Sequence, residues 1–334
     1  MNNIRSKNSF CKYLKLRGYS NFELTEHNQS GRNKLYIVKE DNSQPWLLKK
    51  HLHTPFEIWF YESYPNYFQK PEMLMVDKKN NLIGLKYYTE GHTLFEINVQ
   101  SQERCLRLLS STAVDLAALH NLPVYKDKHN AQLFLPDIDP VHIEFWQSAS
   151  PALKRLIYLL QNQGISSNIK TIIRNQKPIQ GLIHGDLKLD NILVVNESFI
   201  FLDWELSGIG DLSWDIASII GSMVIIWLDN LDIDDGDDPS LWENKSGVRF
   251  ELLNESVNSF ITIYLDNINS PVRQQLTIDY LVSHTIHWLI MRTWAEASQS
   301  TELNRQQLAR LLFIAGFLEN PSLLINPYIF NSHA

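Results

Sequence analysis

The stretch HGDLKLDNIL (residues 184–193), followed by FLDWE (201–205), decides how this chain is read. It sets Asp186, then Asn191 five positions on, then Asp203 twelve further, among the short apolar segments LIH, NILVV and FIFLDW. Short apolar strands flanking a polar turn predict a compact hairpin. That hairpin gathers an aspartate, an amide and a second aspartate. Phosphoryl transfer needs this set, because its loose transition state has to be positioned and its charge neutralised. One carboxylate orients the attacking hydroxyl and takes its proton, while a carboxylate and an amide oxygen hold Mg²⁺ on the phosphates. In that scheme Asp186 is catalytic, and Asn191 and Asp203 are metal ligands.

The surrounding string extends the pattern. His184-Gly185-Asp186 with Asn191, Asp203-Trp204-Glu205, Gly210-Asp211 with Trp214-Asp215-Ile216-Ala217, and LAALH at 116–120 follow one another in a fixed order. Together they resemble the aminoglycoside phosphotransferase and choline kinase family, over roughly Phe22 to Leu228. The resemblance implies an α+β, two-lobed, protein-kinase-like fold: a small β-rich nucleotide lobe at 1–92 and a larger, mostly helical lobe at 93–334 carrying the catalytic hairpin and acceptor site. It implies ATP and Mg²⁺, with Ser30 and Gly31 in a turn over the phosphates. Lys49 would meet the α and β phosphates, with Glu57 as its helix partner; Lys50 and Glu62 compete for those two roles by register. LKYYTEG resembles the interlobe hinge, which implies adenine on the Tyr87 carbonyl and the Thr89 N–H. Asp186-Leu187-Lys188 resembles the Asp-Leu-Lys of serine/threonine kinases, where the lysine meets the γ-phosphate, against the alternative of an exposed loop lysine. His184 is expected to pack under the hairpin, and Asp215 to brace the loop from a helix start.

The acceptor implied is a hydroxyl of a small molecule, such as an aminoglycoside, a choline-like alcohol or another metabolite. The alternative is a Ser or Thr of a precursor peptide in a lanthipeptide-like pathway. A non-catalytic pseudokinase is a third reading, disfavoured because Lys49, Asp186, Asn191 and Asp203 are all present.

Away from the hairpin, the first hundred residues read mainly as strands. NFELTEHNQSGRNKLYIVKE turns at Ser30-Gly31, PWLLKKHL is a short strand, and EMLMVDKKNNLIGLKYY turns at Lys79-Asn80-Asn81, with a helix predicted in PFEIWFYESYPNYF. From Ser101 the period becomes helical. One helix is predicted over 101–123, with Leu106, Leu109, Ala113, Leu116, Ala117 and His120 on one stripe. Others are expected from Ser150-Pro151, over Val272–Ala297 and over Asn304–Glu319.

At 334 residues the chain is long enough for two domains or one large two-lobed one, given roughly 150 residues per domain. Its 44% hydrophobic and 20% charged residues exclude collagen-like and disordered classes. Two cysteines cannot build a disulfide framework, and with no signal-like start the expected location is cytoplasmic. A net charge of −7 is the wrong sign for a nucleic-acid partner. Six aspartates between 229 and 238 carry most of that charge, and they would favour a cationic acceptor if they face it. The apolar run Ile216–Leu228 is 13 residues, too short for a bilayer that needs about 20, so it predicts a buried helix and no membrane partner.

Overall fold

The structure, a computed structural model, describes residues 7–27, 34–41, 43–50, 54–67, 69–124, 130–131, 141–162, 164–165, 167, 177–232, 242 and 245–331. Its N-terminal part is an antiparallel sheet of β1 (Phe22–Glu26), β2 (Lys34–Glu40), β3 (Trp46–Lys50), β4 (Met73–Asp77) and β5 (Leu82–Lys86) in the order β1-β2-β3-β5-β4. Alternation along these strands sorts the side chains into two faces. Leu24, Tyr36, Val38, Trp46, Leu48 and Leu82 form one apolar cluster, whereas Ile83 and Leu85 join the main core on the other side. Lys49 pairs with Ile83 and Lys50 with Leu82, so the two lysines go to opposite faces.

A helix that the strand reading did not anticipate, α1 (Lys7–Leu16), covers the first face with Phe10, Tyr13 and Leu14 at i, i+3 and i+4. It is fastened to the β4–β5 hairpin through Asp77, which accepts from the Tyr13 hydroxyl at 2.7 Å and the Arg17 guanidinium at 2.6 Å. The hairpin turn falls in the KKNN segment, with Asn81 left-handed at φ 53°, a conformation asparagine tolerates.

Between β3 and β4 lies α2 (Thr54–Ser63), packed on the second face. The chain then enters the helical part through β6 (His92–Thr93), whose partner is β8 (Ile192–Val195), itself paired with β9 (Ser198–Phe201). A second ladder joins β7 (Gln180–Ile183) to β10 (Gly208–Asp211). Around these ladders stand α3 (Leu94–Gln100), α4 (Gln102–Ser111), α5 (Ala113–His120), α6 (Ile143–Ser148), α7 (Pro151–Asn162), α8 (Ser213–Asp229), α9 (Phe250–Asn267), α10 (Ser270–Arg273), α11 (Ile278–Ala297), α12 (Arg305–Glu319) and α13 (Tyr328–Asn331).

Two predicted helices are divided. The stripe from Leu106 to His120 is buried as expected, but the helix breaks at Thr112. There the Thr112 hydroxyl donates to the Leu109 carbonyl at 2.7 Å, and its N–H is shared between Leu108 and Leu109. Such back-bonding disturbs a helix. The helix expected over Val272–Ala297 is a four-residue turn, α10, and then α11, which starts afresh where Thr277 caps the N–H of Tyr280. Helix α7 begins as predicted: Pro151 opens it and the Ser150 hydroxyl accepts from Leu153 N–H at 3.1 Å. Helix α8 is buried along nearly its whole length, and among the described residues no helix is long and apolar enough to cross a membrane.

One aromatic contact ties the sheet part to the hairpin. Phe60 of α2 stacks on Trp204 with centroids 3.8 Å apart and planes 6° apart, and both rings are fully buried. Phe60→Ala should cost about 3–5 kcal/mol, the range for emptying an aromatic site in a packed core. Urea unfolding followed by tryptophan fluorescence checks this; a loss below about 1 kcal/mol would mean that the stack does not bind the two parts.

Candidate active site

The loop after β7 is set by backbone constraints. Gly185 has φ 86°, and a Cβ there would fall 2.7 Å from the Leu206 carbonyl oxygen, so only glycine fits. Asp215, in the first turn of α8, accepts from His184 N–H at 2.7 Å and Gly185 N–H at 2.9 Å. The same carboxylate lies 3.4 Å from His120 Nε2, and His120 Nδ1 is 2.8 Å from the Tyr264 hydroxyl. Trp214 Nε1 donates to the Gly185 carbonyl at 3.0 Å. The strand-to-loop corner is therefore held from α5, α8 and α9.

His184 is buried under the hairpin. Burial lowers its pKa although Asp215 pulls the other way, which favours the neutral ring. Its Nδ1 accepts from Asp186 N–H at 3.3 Å, so Nε2 carries the proton and donates to the Leu202 carbonyl at 2.8 Å.

Asp186 follows, with 29% of its side chain exposed. Lys188 Nζ reaches its Oδ2 at 2.7 Å, and Asn191 Nδ2 donates to the same oxygen at 3.0 Å and to the Asp186 carbonyl at 2.8 Å. Desolvation raises the Asp186 pKa above the ordinary carboxylate value despite the Lys188 ammonium. For Lys188 desolvation works downward, but Asp186 outweighs it and the pKa is raised. Asn191 has thus spent its amide nitrogen, and its oxygen is the atom left to meet a cation.

Back at the open end of the hairpin, where the Leu202 N–H donates to the Asn191 carbonyl, Asp203 adopts the left-handed conformation, φ 65° and ψ 63°, which turns its carboxylate toward β3. There it meets Lys49. The Lys49 ammonium, almost wholly buried, also lies 2.8 Å from Glu57 Oε2 on α2 and 3.4 Å from Glu205 Oε2. Burial opposes its charge, yet Glu57, Asp203 and Glu205 together hold its pKa above the lysine range. The carboxylates around it separate: burial leaves Glu57 raised, while for Asp203 the ammonium overcomes burial and the pKa falls.

The structure thus brings Lys49, Glu57 and Asp203 together, and Asp186, Lys188 and Asn191 together, with both groups at the open end of the hairpin, where Ile192 pairs with Phe201. Lys50 faces away, and Glu62 pairs with Lys78 at 2.8 Å. Glu205 stood in the quoted string without a role, and the signal for one was its i+2 spacing from Asp203 around a buried tryptophan. Tyr87 and Thr89 lie in the connection between β5 and β6, with the Tyr87 ring 5.8 Å from His27. Ser30 and Gly31 fall outside the described residues, as do Asp234, Asp235, Asp237 and Asp238 of the acidic run.

An amide oxygen and a carboxylate are hard donors that suit Mg²⁺ held mainly by phosphates and water. Among the described residues no cluster of three or more His, Cys, Asp or Glu builds an all-protein cage.

A profile of the phosphotransferase enzyme family matches residues 24–244. Protein LicA of Haemophilus influenzae is 26% identical over 154 residues, a match that covers 45% of this chain and 52% of that protein. The chain therefore spans about half the length of this curated relative. Among solved structures, choline kinase LicA from Streptococcus pneumoniae superposes with a TM-score of 0.57 at 11% identity, covering 94% of this chain and 99% of that one. Amicoumacin kinase hAmiN, solved in complex with AMP-PNP, Ca²⁺ and Ami, gives a TM-score of 0.59 at 12% identity, covering 98% and 97%. At these identities the likeness is one of fold.

Removing the ammonium from this site strands carboxylates in the interior. Lys49→Met should cost about 3–5 kcal/mol at neutral pH, whereas Lys50→Met should be mild. The deficit should shrink on acidification: without Lys49 the Glu57 pKa rises further above its unfolded value, so the folded variant binds the extra proton. Denaturant titrations at pH 7 and pH 5 measure both effects, and equal losses in the two variants would refute the assignment of Lys49.

Proposed function

The chain belongs to the phosphotransferase enzyme family, and from that premise we propose that it transfers the γ-phosphoryl group of ATP to a hydroxyl of a small molecule, in a nucleotide lobe and helical lobe meeting near residue 92. The observation that carries the reading is that Asp186 and Asp203 come together at the open end of one hairpin, where Leu202 N–H donates to the Asn191 carbonyl, with the Asn191 side chain hydrogen-bonded to Asp186 and Lys49 to Asp203. A hydroxyl beside Asp186 is oriented by its carboxylate and loses its proton to it as the bond to phosphorus forms. Lys49 places the α and β phosphates, and Glu57 places Lys49. Lys188 offsets charge on the group in transit. Tyr87 and Thr89 present backbone groups to the adenine, and Ser30 and Gly31 lie in the turn over the phosphates. Asn191 and Asp203 would hold Mg²⁺, which when bound neutralises the phosphate oxygens.

The family resemblance favours a small acceptor over a peptide hydroxyl, and the assembled Lys49, Asp186, Asn191 and Asp203 favour catalysis over a binding module. Asp186→Asn should lower kcat by at least about 10²-fold with ATP affinity nearly unchanged, while Asp203→Ala and Asn191→Ala should abolish the Mg²⁺ dependence of ATP binding. Near wild-type turnover in the first, or intact metal dependence in the other two, would sink the assignment.

Acidity supplies a further check. Because burial raises the Asp186 pKa, the rate should fall, as pH drops, above the ordinary carboxylate range. In Lys188→Met that limb should move higher still, since the ammonium that lowers the Asp186 pKa is gone. A pH–rate profile of both proteins measures it; a limb that stays put would remove Asp186 as the base.

A further inference from the structure

His120 ends α5 in the LAALH segment and is buried with both ring nitrogens engaged. Its Nδ1 lies 2.8 Å from the hydroxyl of Tyr264, and its Nε2 lies 3.4 Å from Oδ2 of Asp215. That same Oδ2 accepts from the His184 N–H at 2.7 Å, while Oδ1 accepts from the Gly185 N–H at 2.9 Å. Tyr264, His120 and Asp215 thus make an unbroken line of contacts from α9 to the two amides that lead into Asp186. Tyr264, Asp215 and His184 are fully buried, so solvent does not compete along it. Tyr264 lies outside residues 24–244, the span that the family profile matches, on a helix that packs along α4 and α5.

The direction of these hydrogen bonds follows from elimination. Among the described residues His120 Nδ1 is the one partner of the Tyr264 hydroxyl. A proton on Nδ1 would leave that O–H a buried donor without an acceptor, which costs more than a made hydrogen bond contributes. A ring protonated on Nδ1 alone would also turn the lone pair of Nε2 toward the Asp215 carboxylate. Tyr264 therefore donates to Nδ1, and His120 is the neutral tautomer that donates from Nε2 to Asp215. Burial and the charges of Asp215 and Asp211 hold the Tyr264 phenol well above its ordinary pKa, which keeps its proton in place.

Resting on the phosphotransfer reading, we propose that Tyr264 is a positioning residue for the base: its hydroxyl fixes the tautomer of His120, His120 holds Asp215, and Asp215 holds the His184 and Gly185 amides that aim Asp186. Each step is a hydrogen bond between buried groups, so slack introduced at Tyr264 is passed along the line rather than taken up by water. Being wholly buried, Tyr264 meets neither nucleotide nor acceptor. Its effect should therefore fall on the step at Asp186 and not on ATP binding.

Tyr264→Phe keeps the ring, with its edge contact on His120 at 5.7 Å between centroids, and removes only the donor. Ser110→Ala is the matched control, because the Ser110 hydroxyl donates to the Leu106 and Ser256 carbonyls and so ties α4 to α9 without reaching the loop. Amide hydrogen exchange followed by NMR should show the His184 and Gly185 N–H groups losing about three- to tenfold protection in Tyr264→Phe, the worth of one neutral hydrogen bond, and staying within about twofold in Ser110→Ala. Histidine ¹⁵N shifts, with His120 assigned by its loss in His120→Gln, should report an unprotonated Nδ1 in the wild type that loses its hydrogen bond in Tyr264→Phe. With water as the acceptor, the kcat for MgATP hydrolysis should fall by about the same factor as the protection, with the KM for ATP within about twofold. A protonated Nδ1 in the wild type, unchanged protection at the two amides, an equal loss in the control, or a rise in KM in place of the fall in kcat would each overturn the proposal. The exchange and ¹⁵N arms need no turnover, so a protein that shows both effects yet never consumes ATP would refute the phosphotransfer reading alone.

Discussion

The constraint on which the rest of the site depends is the burial of one ammonium among three carboxylates. Lys49 comes from the sheet, Glu57 from α2, and Asp203 and Glu205 from the end of the hairpin, so four charges from three elements share one desolvated place. Each group would be expensive to bury alone, and the geometry holds only while all are present. The pKa directions express this: an excess of carboxylate keeps Lys49 protonated and pushes Glu57 upward while Asp203 stays ionised. A cation arriving at Asp203 would relieve that excess. The arrangement is thus both a clamp between sheet and hairpin and a standing demand for positive charge.

The apolar counterpart of the clamp is Trp204, the residue between Asp203 and Glu205. Its ring is stacked on Phe60 and touches His184 at 4.4 Å, and its Nε1 donates to the Phe201 carbonyl at 2.8 Å. Burying the tryptophan fixes both neighbours, one on either side, toward Lys49. The left-handed φ of Asp203 is part of the same device, since an extended aspartate could not turn to the sheet while Trp204 enters the core. A non-glycine residue costs free energy in that conformation. Here the ion pair and the stacked ring offset the cost.

How far the sequence was legible depends on how local each feature is. Asp186, Asn191 and Asp203 lie within eighteen positions and are joined by a hairpin whose strands show in their apolar runs, so the string alone placed them together. Lys49 and Glu57 are over 120 residues from that string, and the choice between Lys49 and Lys50 rested on strand register, which a one-residue slip reverses. The structure separates them because Leu48 and Leu82 face α1. Helix α1 itself escaped notice, since its apolar residues are interleaved with polar ones and only Phe10, Tyr13 and Leu14 of its ten are buried. The breaks at Thr112 and before Thr277 were hidden because hydrophobic spacing ran on across them, while the interruption is made by hydroxyl-to-backbone bonds.

That contrast extends to the division of labour in the cleft. Three of the groups proposed to act on the nucleotide are each anchored at least twice: Lys49 by carboxylates, Asp203 by Lys49 and its backbone turn, Asn191 by Asp186 and by the Leu202 N–H donating to its carbonyl at 2.8 Å. Their side chains are correspondingly over-determined. On the helical side packing is carried by fit, with Trp288 of α11 seated in the notch that Gly221 leaves in α8. Charge therefore fixes Asp203 against the sheet, while the fit between Trp288 and Gly221 fixes α11 against α8.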